Sequence, residues 1–89
     1  MIWHVKYTKM ALKQLKKMDR FDAKLITSWI GKNLEGCTNP YIHGKSLSAN
    51  HAGKWRYHVG DYRIICEITD NKLIVEVLSI GHRSKVYKH

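Results

Sequence analysis

The stretch KWRYHVGDYRIIC at 54–66 carries side chains suited to holding a phosphate ester and moving a proton on it. Arg56 and His58 precede the pair Gly60-Asp61 and Arg63 follows it; His82 and Arg83 come later in SIGHR, and Tyr87 in the tail SKVYKH. Arginine offers phosphate a rigid, permanently charged fork, and histidine exchanges a proton near neutral pH. A tyrosine ring can lie against a nucleobase. No metal or cofactor is expected. His43, His51 and His58 have neither helical i,i+4 spacing nor a nearby cysteine pair, and Cys37 and Cys66 form no C-x-x-C. GKS at 44–46 falls short of a phosphate-binding loop, because Asn39 stands where the upstream glycine is required and no strand leads into it.

The chemistry depends on what gathers these residues. From Lys54 onward the apolar period is two, in runs 54–59, 62–69 and 72–80 separated by Gly60-Asp61 and Asp70-Asn71, both suited to tight hairpins. A two-residue turn at Gly60-Asp61 sets Val59 against Tyr62, His58 against Arg63, Tyr57 against Ile64 and Trp55 against Cys66. Reading Asp70-Asn71 the same way sets Ile68 against Leu73, Cys66 against Val75 and Ile64 against Val77. One face is then continuously apolar and must be covered. On the other, His58 and Arg63 are direct neighbours with Arg56 about 7 Å along the strand. His82 and Arg83 are delivered to the same end of the sheet, with Tyr87 following. Any single arginine here could belong to a solvated sheet face. Like charges brought together from separate segments repel, however, and that convergence favours an anion site.

Upstream, residues 2–7 alternate with Trp3, Val5 and Tyr7 on one face, as in a half-buried strand. Thr8 can cap a helix running from Lys9 to about Met18, with Ala11, Leu12, Leu15 and Met18 apolar and Lys9, Lys13, Lys16 and Lys17 solvated. A second helix is expected from a cap at Asp22, with Leu25, Ile26, Trp29 and Ile30 on one stripe, ending before Gly36. Residues 36–53 read as a long loop. Trp3, Trp29 and Trp55 are expected to supply core bulk, and His4, His43 and His51 to be polar surface. The fold class is α+β in the order β-α-α-β-β-β, with two N-terminal helices packed on one face of an antiparallel sheet.

With 89 residues, one domain spanning 1–89 is expected. Lys+Arg 16 against Asp+Glu 7 gives a formal charge of +9, which favours polyanionic partners, nucleic acid first. No apolar run approaches the ~20 residues of a spanning helix, and MIWHVKYTKMALKQL lacks a signal-peptide apolar region, so no membrane partner and a cytoplasmic location are expected.

The order of elements, GK.L at 44–47, GKWRYHVGDYRI at 53–64 and SIGHRSKVY at 79–87 together resemble the RelE/ParE superfamily of toxins from toxin–antitoxin systems, over nearly the whole chain. That superfamily contains ribosome-dependent messenger-RNA endonucleases of the RelE kind and non-nucleolytic gyrase poisons of the ParE kind. RelE-like enzymes carry basic groups at alternate positions before the turn, here Arg56 and His58, an arginine after the turn tyrosine, here Arg63, another after the last strand, here Arg83, and a tail tyrosine, here Tyr87. Many have lysine where this chain has His58.

The resemblance implies a RelE-like fold and a toxin that cleaves messenger RNA without a metal, by attack of the 2′-OH. It makes His58 the base, Arg56 and Arg63 the phosphate stabilisers, and Arg83 a charge stabiliser or acid, with His82 the easier proton donor, His89 a further candidate, and Tyr87 stacking on a base. Arg56 and Arg63 should keep His58 neutral near pH 7. The implied partners are an acidic antitoxin, the ribosome with messenger RNA in its decoding site, and operator DNA for the toxin–antitoxin hetero-oligomer. The alternative implied function is gyrase inhibition without nuclease activity.

Overall fold

The structure, a computed structural model, describes residues 1–47 and 53–86. Tyr87, His89 and His51 therefore lie outside the described residues. Strand β1 (His4–Tyr7) leads through Thr8 into helix α1 (Lys9–Lys17), and α2 (Arg20–Asn33) follows after a two-residue break. A 3-10 turn (Pro40–Ile42) precedes the short strand β2 (Lys45–Ser46), then come β3 (Lys54–Val59), β4 (Tyr62–Thr69), β5 (Ile74–His82) and the one-turn helix α3 (Arg83–Val86). The strands form one sheet in the order β1-β5-β4-β3-β2.

The expected α+β order of elements stands, with two refinements. The sheet is mixed, because β1 returns to pair with β5 in parallel, and it gains β2 at the far edge. A strand of two residues has no period to read, so β2 was invisible inside the loop. No helix among the described residues is long and apolar enough to cross a membrane.

Alternation places one residue in two beneath the helices. Tyr57, Val59, Ile64, Cys66, Ile68, Val75, Val77 and Ile80 are buried against Ala11, Ile26, Ile30 and Leu34, with Trp3 closing the β1 end. The expected apolar face is thus the core. Leu12 and Leu25 are the exceptions, being 46% and 43% exposed, since the helices contact the sheet along stripes narrower than their apolar positions. Trp29 and Trp55 are half-buried rather than fully enclosed. Cys37 and Cys66 are both free; burial pushes the Cys66 thiol up to about 12, which leaves it an unreactive core side chain.

The helix caps follow side-chain chemistry. Thr8 Oγ1 accepts from Ala11 N at 3.1 Å, as expected of a cap. For α2 the cap is Asp19 rather than Asp22: its Oδ2 accepts from Phe21 N at 3.0 Å and Asp22 N at 3.4 Å. Asp22 sits inside the first turn, where a carboxylate suits the helix dipole and accepts the Tyr62 hydroxyl at 2.8 Å.

The β3–β4 register is the expected one, Trp55 to Cys66 through Val59 to Tyr62. The β4–β5 register differs. Residues 70–72 form a 3-10 turn and Leu73 adopts a left-handed φ of 54°, so Ile68 pairs with Val75 and Cys66 with Val77. The slip is by two, which keeps every side chain on its expected face. Between Cys66↔Val77 and Ile65↔Ser79 the partner strand then takes in an extra residue, Leu78, and beyond that bulge Ile64 pairs with Ile80. Unbroken alternation would turn Ser79 inward and Ile80 outward; the bulge resets the phase so that Ile80 joins Val75 and Val77 in the core.

Helix α1 stabilises this irregularity. Thr8 Oγ1 lies 2.9 Å from both the Val77 and Leu78 carbonyls and donates its single proton between them, while Thr8 N donates to Val77 O at 3.1 Å. Gln14 Oε1 accepts from Ile80 N at 2.6 Å. The same side chain that caps α1 therefore also serves the bulge, and the bulge sets where β5 ends and Arg83 begins.

Candidate anion site on the open sheet face

Two turns and one bulge aim the basic residues. Gly60 has φ +59° while Asp61 does not share a positive φ, the pattern of a two-residue hairpin with glycine first. That tight turn fixes His58 directly opposite Arg63 on the face away from the helices. Across β4, Arg63 pairs with Gly81. Arg83 N then donates to the Asp61 carbonyl at 2.8 Å, locking the start of α3 to the hairpin tip.

The result is a cavity of about 460 Å³ lined by His58, Gly60, Asp61, Arg63, Arg83 and Ser84. Partial burial first, and then Arg56 and Arg83, pull the Arg63 guanidinium below its ordinary pKa, which registers three like charges in one neighbourhood. His58 is exposed, and its pKa is also lowered, first by desolvation and then by Arg56, Arg63 and Lys45. Neutral imidazole is therefore the resting form near pH 7. Desolvation outranks the arginines, a contribution that sequence cannot rank.

A second groove of about 370 Å³ shares His58 with the first cavity and is otherwise lined by Trp29, His43, Gly44, Lys45 and Arg56. Lys45 pairs with Arg56 across β2–β3. Arg56 Nε is buried without a hydrogen-bond partner among the described residues. His43 packs edge-on to Trp29 with ring centroids 5.5 Å apart, and its carbonyl accepts from Trp55 Nε1 at 2.6 Å.

The structure thus gathers His58, Arg63 and Arg83 at one cavity, with Arg56 in the adjoining groove. It does not gather His82. That residue pairs with Tyr62, on the helix side of the sheet, with ring centroids 5.3 Å apart, and lines a separate pocket with Gln14, Asp19 and Asp22. Its Nδ1 accepts from Ser84 N at 3.2 Å and lies 2.8 Å from Ser84 Oγ, so the imidazole caps α3. The expected meeting of His82 with the arginines is corrected on that ground: alternation past the bulge turns it to the other face.

Ser84, the Asp61 carbonyl and Lys45 were not singled out from sequence. The first two become neighbours of the basic cluster only through the turn of α3, and Lys45 only through β2. Among the described residues, no three His, Cys, Asp or Glu side chains are grouped as a metal ion would require.

A family model described as the ParE toxin of type II toxin–antitoxin systems, parDE, matches residues 5–87. No curated protein matches the chain. Among solved structures, a chain of the RelBE2 toxin–antitoxin complex from Mycobacterium tuberculosis superposes with a TM-score of 0.82 at 25% identity, covering 94% of each chain. The isolated RelE toxin of E. coli gives 0.70 at 21% identity over 96% of this chain and 90% of that one. The archaeal RelE–RelB complex from Pyrococcus horikoshii gives 0.68 at 17% identity over 96% and 99%. At these identities the E. coli and archaeal likenesses speak for the fold.

Proposed function

The chain belongs to the ParE toxin family of type II toxin–antitoxin systems, within the RelE/ParE superfamily, and from that premise we propose that it acts, as a single domain, as a ribosome-dependent messenger-RNA endonuclease. The observation that carries this reading is the direct opposition of His58 and Arg63, with Arg83 lining the same cavity. A base and two cations line a space with room for a phosphate and the sugars on either side of it.

His58, held neutral, removes the proton of a ribose 2′-OH. The 2′ oxygen attacks the adjacent phosphorus, the bond to the 5′ oxygen breaks, and a cyclic phosphate remains on the upstream fragment. Arg56 and Arg63 stabilise the added negative charge on the phosphorane, and Arg83 stabilises the departing oxygen until water protonates it. Arg83 cannot itself be an effective acid, because its proton is held too tightly. His82, capping α3 on the other side, is not placed to replace it. The absence of a strong acid makes for a slow intrinsic reaction, consistent with a substrate positioned by the ribosome. Tyr87 is assigned to stacking on a base beside the scissile bond.

The net charge of +9 fits neutralisation by an acidic antitoxin, and the RelBE2 and archaeal neighbours are toxin–antitoxin complexes. A hetero-oligomer of that kind is proposed to bind operator DNA. One observation favours the second reading, a gyrase inhibitor: the matching family model is the ParE one. Induction in bacteria, with messenger cut sites mapped and supercoiling measured in parallel, tests both. Codon-phased cuts in translated messages with normal supercoiling are expected; intact messages with loss of supercoiling would reverse the order of the two readings.

A further inference from the structure

The groove beside the cavity shares Arg56 and His58 with the reaction above, but its Lys45, His43 and Trp29 have no role in that reaction. It is lined by Lys45 and Arg56, by the rings of Trp29, His43 and His58, and by no acidic side chain. The cavity itself includes Asp61, so the groove is the more purely electropositive of the two. Arg56 Nε is a buried donor without an acceptor among the described residues, a costly state that an anion would relieve.

Its position is fixed from three directions. β2 pairs Lys45 with Arg56, the Trp55 indole holds the His43 carbonyl, and Gly44 passes so close to β3 that a Cβ there would strike the Arg56 carbonyl. This is therefore a shaped wall and not a loose loop. Two residues along a strand span about 7 Å, so the Arg56 end of the groove and the His58 end of the cavity are separated by about the reach of one nucleotide.

We propose that this groove is a second nucleotide subsite for single-stranded nucleic acid, in which Lys45 binds the phosphate next to the scissile one, Arg56 lies between the two phosphates, and His43, braced by Trp29, packs on the neighbouring base. The proposal rests on the nuclease reading and extends it: the substrate is gripped over two phosphates, and Lys45 and His43 become positioning residues. Stacking of this kind is tolerant of base identity, so the subsite contributes grip and register more than sequence choice.

The test uses the full chain and two probes that cannot be cleaved through a 2′-OH, a 5′-deoxymononucleotide and a 5′-phosphorylated deoxydinucleotide. Binding is followed by shifts of the His43, His58 and Trp29 ring signals and of the Arg63 and Arg83 signals. The dinucleotide is expected to bind about tenfold tighter, as one added charge-assisted contact implies, and it alone should shift His43 and Trp29. Lys45→Ala and Lys45→Gln, at an exposed position, should abolish that tenfold gain and leave mononucleotide affinity unchanged. Equal affinities for the two probes, an unmoved His43, or equal loss for both probes in the variants would overturn the subsite while leaving the catalytic cavity intact. Binding that shifts His43 but leaves the signals of Arg63 and Arg83, which line the cavity and not the groove, unmoved would uphold the groove and count against the nuclease reading. No binding of either probe would overturn both.

Discussion

The backbone N–H of Arg83 donates to the carbonyl of Asp61 at 2.8 Å, joining the first residue after the last strand to the tip of the β3–β4 hairpin. The contact is main chain to main chain, so it positions the Arg83 side chain without consuming it.

Arg83→Ala should consequently preserve the fold while removing a cation from the cavity. Together with Arg63→Ala and His58→Gln, it is expected to lower ribosome-dependent cleavage by ~10²-fold or more, with little change in melting temperature. Ribosome affinity should fall far less, because most of the 16 Lys and Arg remain. Unchanged cleavage in all three variants would remove the cavity from the mechanism.

The hairpin was legible because a Gly-Asp turn of minimal length leaves one register, and every pair from Trp55 to Tyr62 follows from it. The Asp70-Asn71 turn was not, because Asp70–Lys72 winds into a 3-10 turn with Leu73 left-handed, a conformation no leucine announces. Parity survived that error, so the core was still named correctly. The Leu78 bulge had no local sign either; its reason lies in the Thr8 and Gln14 side chains of α1. Strict alternation puts His82 on the wrong face for the same reason, since the extra residue at the bulge reverses the phase of everything after it. Lys45 carries no sequence signal because the two-residue strand that holds it, β2, exists only by pairing with β3.

Gly44 should tolerate no side chain. It has φ +75°, and an added Cβ would collide with the Arg56 carbonyl and approach Trp55 Nε1 and Tyr57 Cδ1 to 2.9 Å. Gly44→Ala is expected to cost about 2 kcal/mol or more in denaturant unfolding. It should also expose the β2 edge of the sheet to hydrogen exchange, while Gly31→Ala, where nothing lies within 4 Å, has no such effect.

Thr8 combines two duties, and the variants separate them. Thr8→Ser keeps the hydroxyl, which caps α1 and donates to the bulge, so stability should hold to within a few tenths of a kcal/mol. Thr8→Ala loses both and should cost about 1–2 kcal/mol. Because the bulge sets the end of β5, the alanine variant should also loosen the Arg83–Asp61 bond, seen as faster exchange of the Arg83 amide. An alanine variant with full stability and an unaltered Arg83 amide would mean that the bulge holds itself.

The last expectation concerns pH. Desolvation first, then Arg56, Arg63 and Lys45, lower the folded-state pKa of His58 below its ordinary 6.5. Between that lowered value and 6.5 the unfolded chain binds a proton that the folded chain does not, so unfolding free energy rises with pH across this window and is fully recovered above it. Acidification from pH 7 should therefore weaken the fold, and His58→Gln should remove that part of the slope. Activity obeys the same shift: the acid limb of the cleavage profile should lie below pH 6.5, and Arg56→Gln, which removes one repelling charge, should move it upward. A bound oligonucleotide phosphate reverses the sign by favouring the imidazolium, so the ring titration followed by NMR should move toward or above 6.5 in its presence. A free-protein titration at or above 6.5 would show that the cluster does not hold the imidazole neutral, and His58 would lose its claim to be the base.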